Sequence, residues 1–379
     1  MDVRHVTMLL GIFRVLPIPL AAFLGMYDFC FIAILLVVLP YILFMSRKVV
    51  WTNEHAVMFL YALVAFIAFL LFPTGRGLQI GWGMYVMPAL LFFCLPQLSK
   101  YDGFLDKDVN VWGCILAVQL IVSVVYLFVK LGTNFDLHLN ANIYWARSNA
   151  IATMLEMPIL WFFSKQIFTS GLKKTFYQYA FFICCLALFA TASRAGLITV
   201  VFSLLVFNKM IGKKITKIVV LTCCIVVVYA LVSEHLVDRL FNLLDRSNID
   251  RIYLWLQSIE LIIKQPWLGY GPGNVDLYAD IIDRKTIMPG PHNLILEIML
   301  HVGIIGFVLF AAVIWLLTKR SYRYFKKEHN PVFFVIIGAS MFHSMVEPTF
   351  LSGTYSYMFW YFMSLLIVKT QVSKPLRHL

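Results

Sequence analysis

Long apolar runs separated by short polar joints recur along the whole chain, and this pattern restricts the fold more than any other feature. About twelve runs reach the length a helix needs to cross roughly 30 Å of hydrocarbon. They lie near 8–25, 29–45, 55–72, 78–96, 111–130, 144–163, 176–192, 195–208, 215–232, 292–317, 331–346 and 350–368. With 61% of residues hydrophobic and 13% charged, a water-soluble globule would lack the polar surface to stay dispersed. The first run follows Arg4 as a signal peptide would, but it contains Pro17 and Pro19 and leads straight into a second apolar run. It reads as a retained first helix. The expectation is an all-α integral membrane protein of about 12 transmembrane helices, with residues 1–379 forming a single polytopic membrane domain.

The net charge of +12 has a topological explanation rather than a nucleic-acid partner. Basic residues such as Arg47, Lys48, Lys173, Lys174, Lys213, Lys214, Lys326 and Lys327 gather in the joints after even-numbered runs, and others lie near the two termini. The short joints after odd-numbered runs hold almost none. By the positive-inside rule the basic side is cytoplasmic, which places both termini there. The seven cysteines all fall inside predicted spans, away from any oxidising compartment, so no disulfide is expected. Adjacent cysteines such as Cys184 and Cys185 point to different sides of a helix and read as packing rather than metal ligands.

The joint from 233 to 291 is far longer than the rest and falls on the outer side. Loops of that length are commonly functional. From Asp250 it reads DRIYLWLQSIELIIKQP, with Ile252, Trp255, Leu256, Ile259 and Ile263 at helical spacing. Asp250 is placed as an N-cap and Pro266 as the stop. A helix of about fourteen residues is too short to span, and its charged ends predict that it lies along the outer interface. The GYGPG stretch from Gly269 to Gly273 reads as a turn, and it does not fit a dinucleotide fingerprint.

Three places put ionisable groups where a plain bundle has no use for them, all on the outer side. In TASRAG, Ser193 is positioned to cap the next helix and Arg194 to sit in its first turn, where free backbone N–H groups favour an anion. Arg251 and Trp255 lie one turn apart on the same side of the interfacial helix, and a guanidinium fork matches phosphate oxygens. GPHN at 290–293 opens the next span, with Pro291 suited to a first helical turn and His292 at the mouth of the bilayer, where a histidine can act as a base. Each has a plain alternative: a snorkelling arginine, an interface anchor, a hydrogen-bonded cap. Arg76 and Arg147 stand near the same face as supporting cations. Among the intramembrane ionisable residues Arg14, Glu156, Glu297, His301, His343 and Glu347, the pair Glu297 and His301 is spaced to satisfy itself, and Glu347 lies near a span end.

Taken together, TASRAGLI at 191–198, the run from Asp250 through Arg251, Trp255 and Pro266 to Gly271, and HNLILEIMLHVGIIG at 292–306 resemble the bacterial O-antigen ligase and polymerase superfamily. The resemblance implies a membrane glycosyltransferase of the bacterial inner membrane. Such an enzyme moves a glycan from undecaprenyl diphosphate to an acceptor hydroxyl on the periplasmic face, without metal or other cofactor. It implies that Arg194 and Arg251 hold the diphosphate and that His292 is the catalytic residue at the acceptor, with Ser193, Trp255, Asn293, Arg147 and Arg76 in support. The 233–291 segment then becomes a large periplasmic loop carrying short interfacial helices. The reading inclines to a ligase that uses the lipid A core as acceptor. A polymerase extending a second lipid-linked glycan, whether O-antigen, capsule or exopolysaccharide, is the alternative, and a flippase for the same lipid-linked glycan is a third.

Overall fold

The computed structural model describes residues 50–99, 105–131, 148–191, 193–212, 246–281, 284–288, 290–347, 350 and 353–371. The runs at 8–25, 29–45 and 215–232 lie outside the described residues, and each of the other runs falls on a helix. In chain order these are α1 (Asn53–Leu71) and α2 (Gly75–Gly81), which passes through a π-helical turn (Trp82–Val86) into α3 (Met87–Ser99). Then come α4 (Leu105–Leu131), α5 (Ser148–Phe168), α6 (Gly171–Ala190) and α7 (Arg194–Met210). The long joint that follows carries α8 (Arg246–Lys264) and an antiparallel hairpin of β1 (Leu277–Ile281) and β2 (Arg284–Met288). The chain continues with α9 (Leu294–Glu328), α10 (Val332–Ser344) and α11 (Gly353–Gln371).

Burial runs opposite to that of a soluble bundle. Val118, Val122, Val125 and Val129 on α4, and Tyr179, Phe182 and Leu186 on α6, are exposed along one stripe of each helix. Hydrocarbon, not water, accommodates such stripes. Central α11 is buried almost all round, from Tyr355 to Ile367, and α5 is buried from Ile151 to Phe163. Among the described residues, Asn53–Leu71, Gly75–Gln97 and Leu294–Glu328 are long and apolar enough to cross a membrane, while Ala195–Met210 and Val332–Ser344 are shorter apolar helices.

Ion pairs clamp one end of the bundle. Arg320 on α9 makes a bidentate contact with Glu54 on α1 at 2.7 and 2.9 Å, and reaches Thr370 on α11 at 2.9 Å. Asp106 on α4 accepts from Lys165 on α5 at 3.1 Å and from Lys369 on α11 at 3.0 Å. Lys319, Arg323, Lys326 and Lys327 extend this basic end along α9. Near the end of α10, His343 pairs with Glu156 on α5, both fully buried, which fixes how α10 is rotated.

At the opposite end the long joint is built into the bundle through a break in α9. Gly303 has φ 66° and ψ −169°, a conformation essentially confined to glycine. Past the break, Ile304 and Ile305 cannot donate to Leu300 and His301 in the helical manner. They donate to Pro266 at 2.8 Å and to Trp267 at 3.3 Å, while the amides of Tyr270 and Gly271 take up the carbonyls of Leu300 at 2.7 Å and His301 at 3.0 Å. The PWLGYG segment thus replaces the helix's own hydrogen bonds, as buried backbone requires. A small second core of Leu254, Ile262, Leu277 and Leu300 seats α8 and β1 against α9.

Two expectations from the sequence are corrected at local scale. α8 begins at Arg246, so Asp250 is an interior helical residue, not the N-cap. The apolar spacing extends back through Ile249, which explains the longer helix. α9 begins at Leu294 with Asn293 as N-cap, so Pro291 precedes the helix rather than standing in its first turn.

Gly303→Ala forces a Cβ into the carbonyl of Trp267 at a positive φ. It is expected to cost at least about 2 kcal/mol. Gly338→Ala in α10, where an added Cβ meets no atom within 4 Å, is expected to be neutral or to add up to about 1 kcal/mol. Thermal unfolding of the detergent-solubilised variants checks both.

Candidate functional site

Three chain segments meet at the end of the bundle away from the ion-pair clamp. The first is α8, whose Leu254, Ser258 and Ile262 face inward while Ile252, Leu256, Ile259 and Ile263 are exposed. The second is the Pro291–Asn293 turn that opens α9. The third is the turn after α10, where the amide of Glu347 donates to the carbonyl of His343 at 3.1 Å.

Hydrogen bonds fix these segments to one another. Trp255 donates its indole N–H to the carbonyl of Pro291 at 2.8 Å, joining α8 to the turn. Asn293 accepts from the amides of Ile295 and Leu296 at 3.0 and 3.2 Å, and donates its Nδ2 to the carbonyl of Met345 at 2.9 Å. One side chain therefore caps α9 and ties it to the end of α10. Between the fixed points His292 takes φ 52°, uncommon for a non-glycine residue and a form of backbone strain that concentrates at functional sites.

The arrangement brings His292 and Arg251 together on one carboxylate, Glu347. Its Oε2 stands 3.5 Å from an Arg251 terminal nitrogen and its Oε1 3.6 Å from His292 Nδ1. All three side chains are between 19% and 30% exposed, so the cluster is sheltered yet open to a ligand. Burial alone would raise the Glu347 carboxyl. The approach of His292 and the guanidinium of Arg251 outweigh it and hold the group below its ordinary 4.5. An ionised carboxylate on Nδ1 favours the tautomer that leaves Nε2 of His292 free to accept a proton.

The other predicted site residues are placed as follows. Ser193 is the N-cap of α7 and accepts from the amide of Gly196 at 3.3 Å, and Arg194 is the first residue of that helix. α7 packs against α10, the helix that ends beside Glu347. Arg76 pairs with Asp276 at 3.0 Å and is exposed, so it ties the α2 start to the loop ahead of the hairpin and contributes little stability. Arg147 lies outside the described residues. The i, i+4 pairing expected between Glu297 and His301 does not form: His301 Nδ1 is 3.0 Å from the Tyr85 hydroxyl. Glu347, which the sequence ranks only as an acidic residue near a span end, is the group on which the cluster converges.

A carboxyl whose folded pKa lies below its unfolded value adds stability that is fully present above the unfolded value and is lost as pH falls through the folded one. The stability difference between wild type and Glu347→Gln is therefore expected to stay constant from neutral pH down to about pH 5, and to shrink only below the group's ordinary 4.5. Thermal unfolding across a pH series measures it.

No curated protein matches the chain. Residues 179–311 match a family described as O-antigen ligase. The matched stretch contains the α7 cap, α8, the PWLGYG segment, the His292 turn and the broken start of α9. Over that stretch the chain is similar to the O-antigen ligase and polymerase superfamily.

Proposed function

We propose that the protein is an O-antigen ligase of the inner membrane, transferring a glycan from undecaprenyl diphosphate to the lipid A core of lipopolysaccharide on the periplasmic face. The observation that carries this reading is the meeting of Arg251 and His292 on Glu347, at the end of the bundle remote from the basic clamp. Under the positive-inside rule that end is periplasmic, and both termini are cytoplasmic.

The chemistry asks little beyond charge stabilisation and aim. The donor's anomeric carbon already carries a diphosphate leaving group, so the reaction needs no metal ion. Arg251 has five N–H donors and can bind phosphate oxygens while still facing Glu347. Arg194, at the N-terminus of α7, adds a second cation and the free amides of a helix start. The acceptor hydroxyl attacks the anomeric carbon as the bond to the diphosphate oxygen breaks. Its proton passes to Nε2 of His292, whose imidazolium is stabilised by Glu347. Attack opposite the leaving group inverts the anomeric configuration.

The exposed apolar stripe of α8 supports an interfacial position, with Arg251 and Trp255 turned toward the lipid-linked head. The polymerase reading shares donor and site, and differs only in using a second lipid-linked glycan as acceptor.

A reconstituted assay with undecaprenyl diphosphate-linked glycan, offering either acceptor, tests the proposal. His292→Ala is expected to lower the turnover number by about 10² to 10⁴, and Arg251→Ala or Arg194→Ala by about 10² to 10³. Transfer to the lipid A core supports the ligase. Products growing only on lipid-linked repeats would make the protein a polymerase, and folded protein that transfers to neither acceptor would favour a flippase.

A further inference from the structure

Glu297 lies just inside the start of α9, with the amide of Glu297 bonded to the carbonyl of the cap Asn293 at 3.0 Å. It is only 7% exposed, and its Oε2 is buried without a hydrogen-bond partner among the described residues. The candidates along the helix and beside it are otherwise engaged. His301 faces Tyr85, and Arg76 holds Asp276. A carboxyl buried in this state is costly unless something arrives to partner it.

Its location says what could. The carboxyl occupies the space in front of Gly290, where an added Cβ would overlap its oxygens. Gly290 begins the turn whose Pro291 carbonyl is held by Trp255 and whose His292 faces Glu347. Glu297 therefore backs onto the reacting end of the site. The unpartnered carboxyl oxygen is a hydrogen-bond acceptor, and sugar hydroxyls are neutral donors that suit it.

We infer that Glu297 is a sugar-binding residue of the site, accepting a hydrogen bond from a hydroxyl of either the transferred glycan or the acceptor. This rests on the transferase reading above. Gly290 is the clearance that lets the carboxyl reach the turn.

The test measures initial rates against donor and acceptor concentration for wild type, Glu297→Gln and Gly290→Ala in reconstituted vesicles. Glu297→Gln replaces one acceptor oxygen with a donor and keeps the shape. Gly290→Ala keeps the carboxyl and displaces a flexible side-chain tip, on a backbone without positive φ, so it gives a readout even if Glu297→Gln fails to fold. Both variants are expected to raise KM for one sugar substrate about tenfold or more, with turnover at saturation much less affected. The substrate whose KM moves identifies whose hydroxyl is held. KM values for donor and acceptor that stay at wild-type levels in the folded variants overturn the inference. A wild-type protein that transfers nothing overturns the transferase reading itself, an outcome visible before any variant is compared.

Discussion

A helix in hydrocarbon has no water to satisfy a broken backbone, and the arrangement of the end that carries His292 follows from how the break at Gly303 is repaired. Four backbone groups that α9 cannot pair internally are paired with Pro266, Trp267, Tyr270 and Gly271. That exchange fixes the PWLGYG segment to the helix. α8, ending two residues before it, is thereby held over the start of α9, and the small core of Leu254, Ile262, Leu277 and Leu300 fills the space beneath. The glycines at 269, 271 and 273 all have positive φ, and a Cβ added at any of them would meet a neighbouring element within 4 Å. The segment needs both the left-handed turns and the close approach.

From that anchor the site assembles by a few directed contacts. Trp255 locks α8 to Pro291, Asn293 locks α9 to Met345, and the Glu156–His343 pair sets the rotation of α10. Glu347 then faces Arg251 and His292 at once. The strained backbone at His292 is held by hydrogen bonds on both sides of it, to Pro291 and from Asn293, which is the condition under which such strain persists. The opposite end is rigid for a different reason: paired cations and carboxylates join α1, α4, α5, α9 and α11 there.

The helices were legible because apolar run length reports directly on bilayer thickness, and Ser193 was legible as a cap because capping is local. α8 followed from its spacing, though its start did not. What escaped the sequence depends on residues far apart in the chain meeting in space. The break at Gly303 could be read only as a glycine in a span, since its partner segment lies about thirty-five residues earlier. The hairpin at 277–288 carries no strong turn signal. Glu347 looked ordinary because its importance comes from Arg251 and His292, not from its neighbours. The i, i+4 spacing of Glu297 and His301 pointed to a mutual pair, but Tyr85, in the π-helical turn between α2 and α3, takes the histidine.

The central claim is that His292 and Glu347 act as one unit, and a double-mutant cycle on the glycosyl transfer rate tests it most directly. If Glu347 works through His292, then Glu347→Gln slows wild type substantially but has little further effect in a His292→Ala background. Effects that multiply, each variant slowing the reaction by the same factor in the presence or absence of the other, would contradict the account.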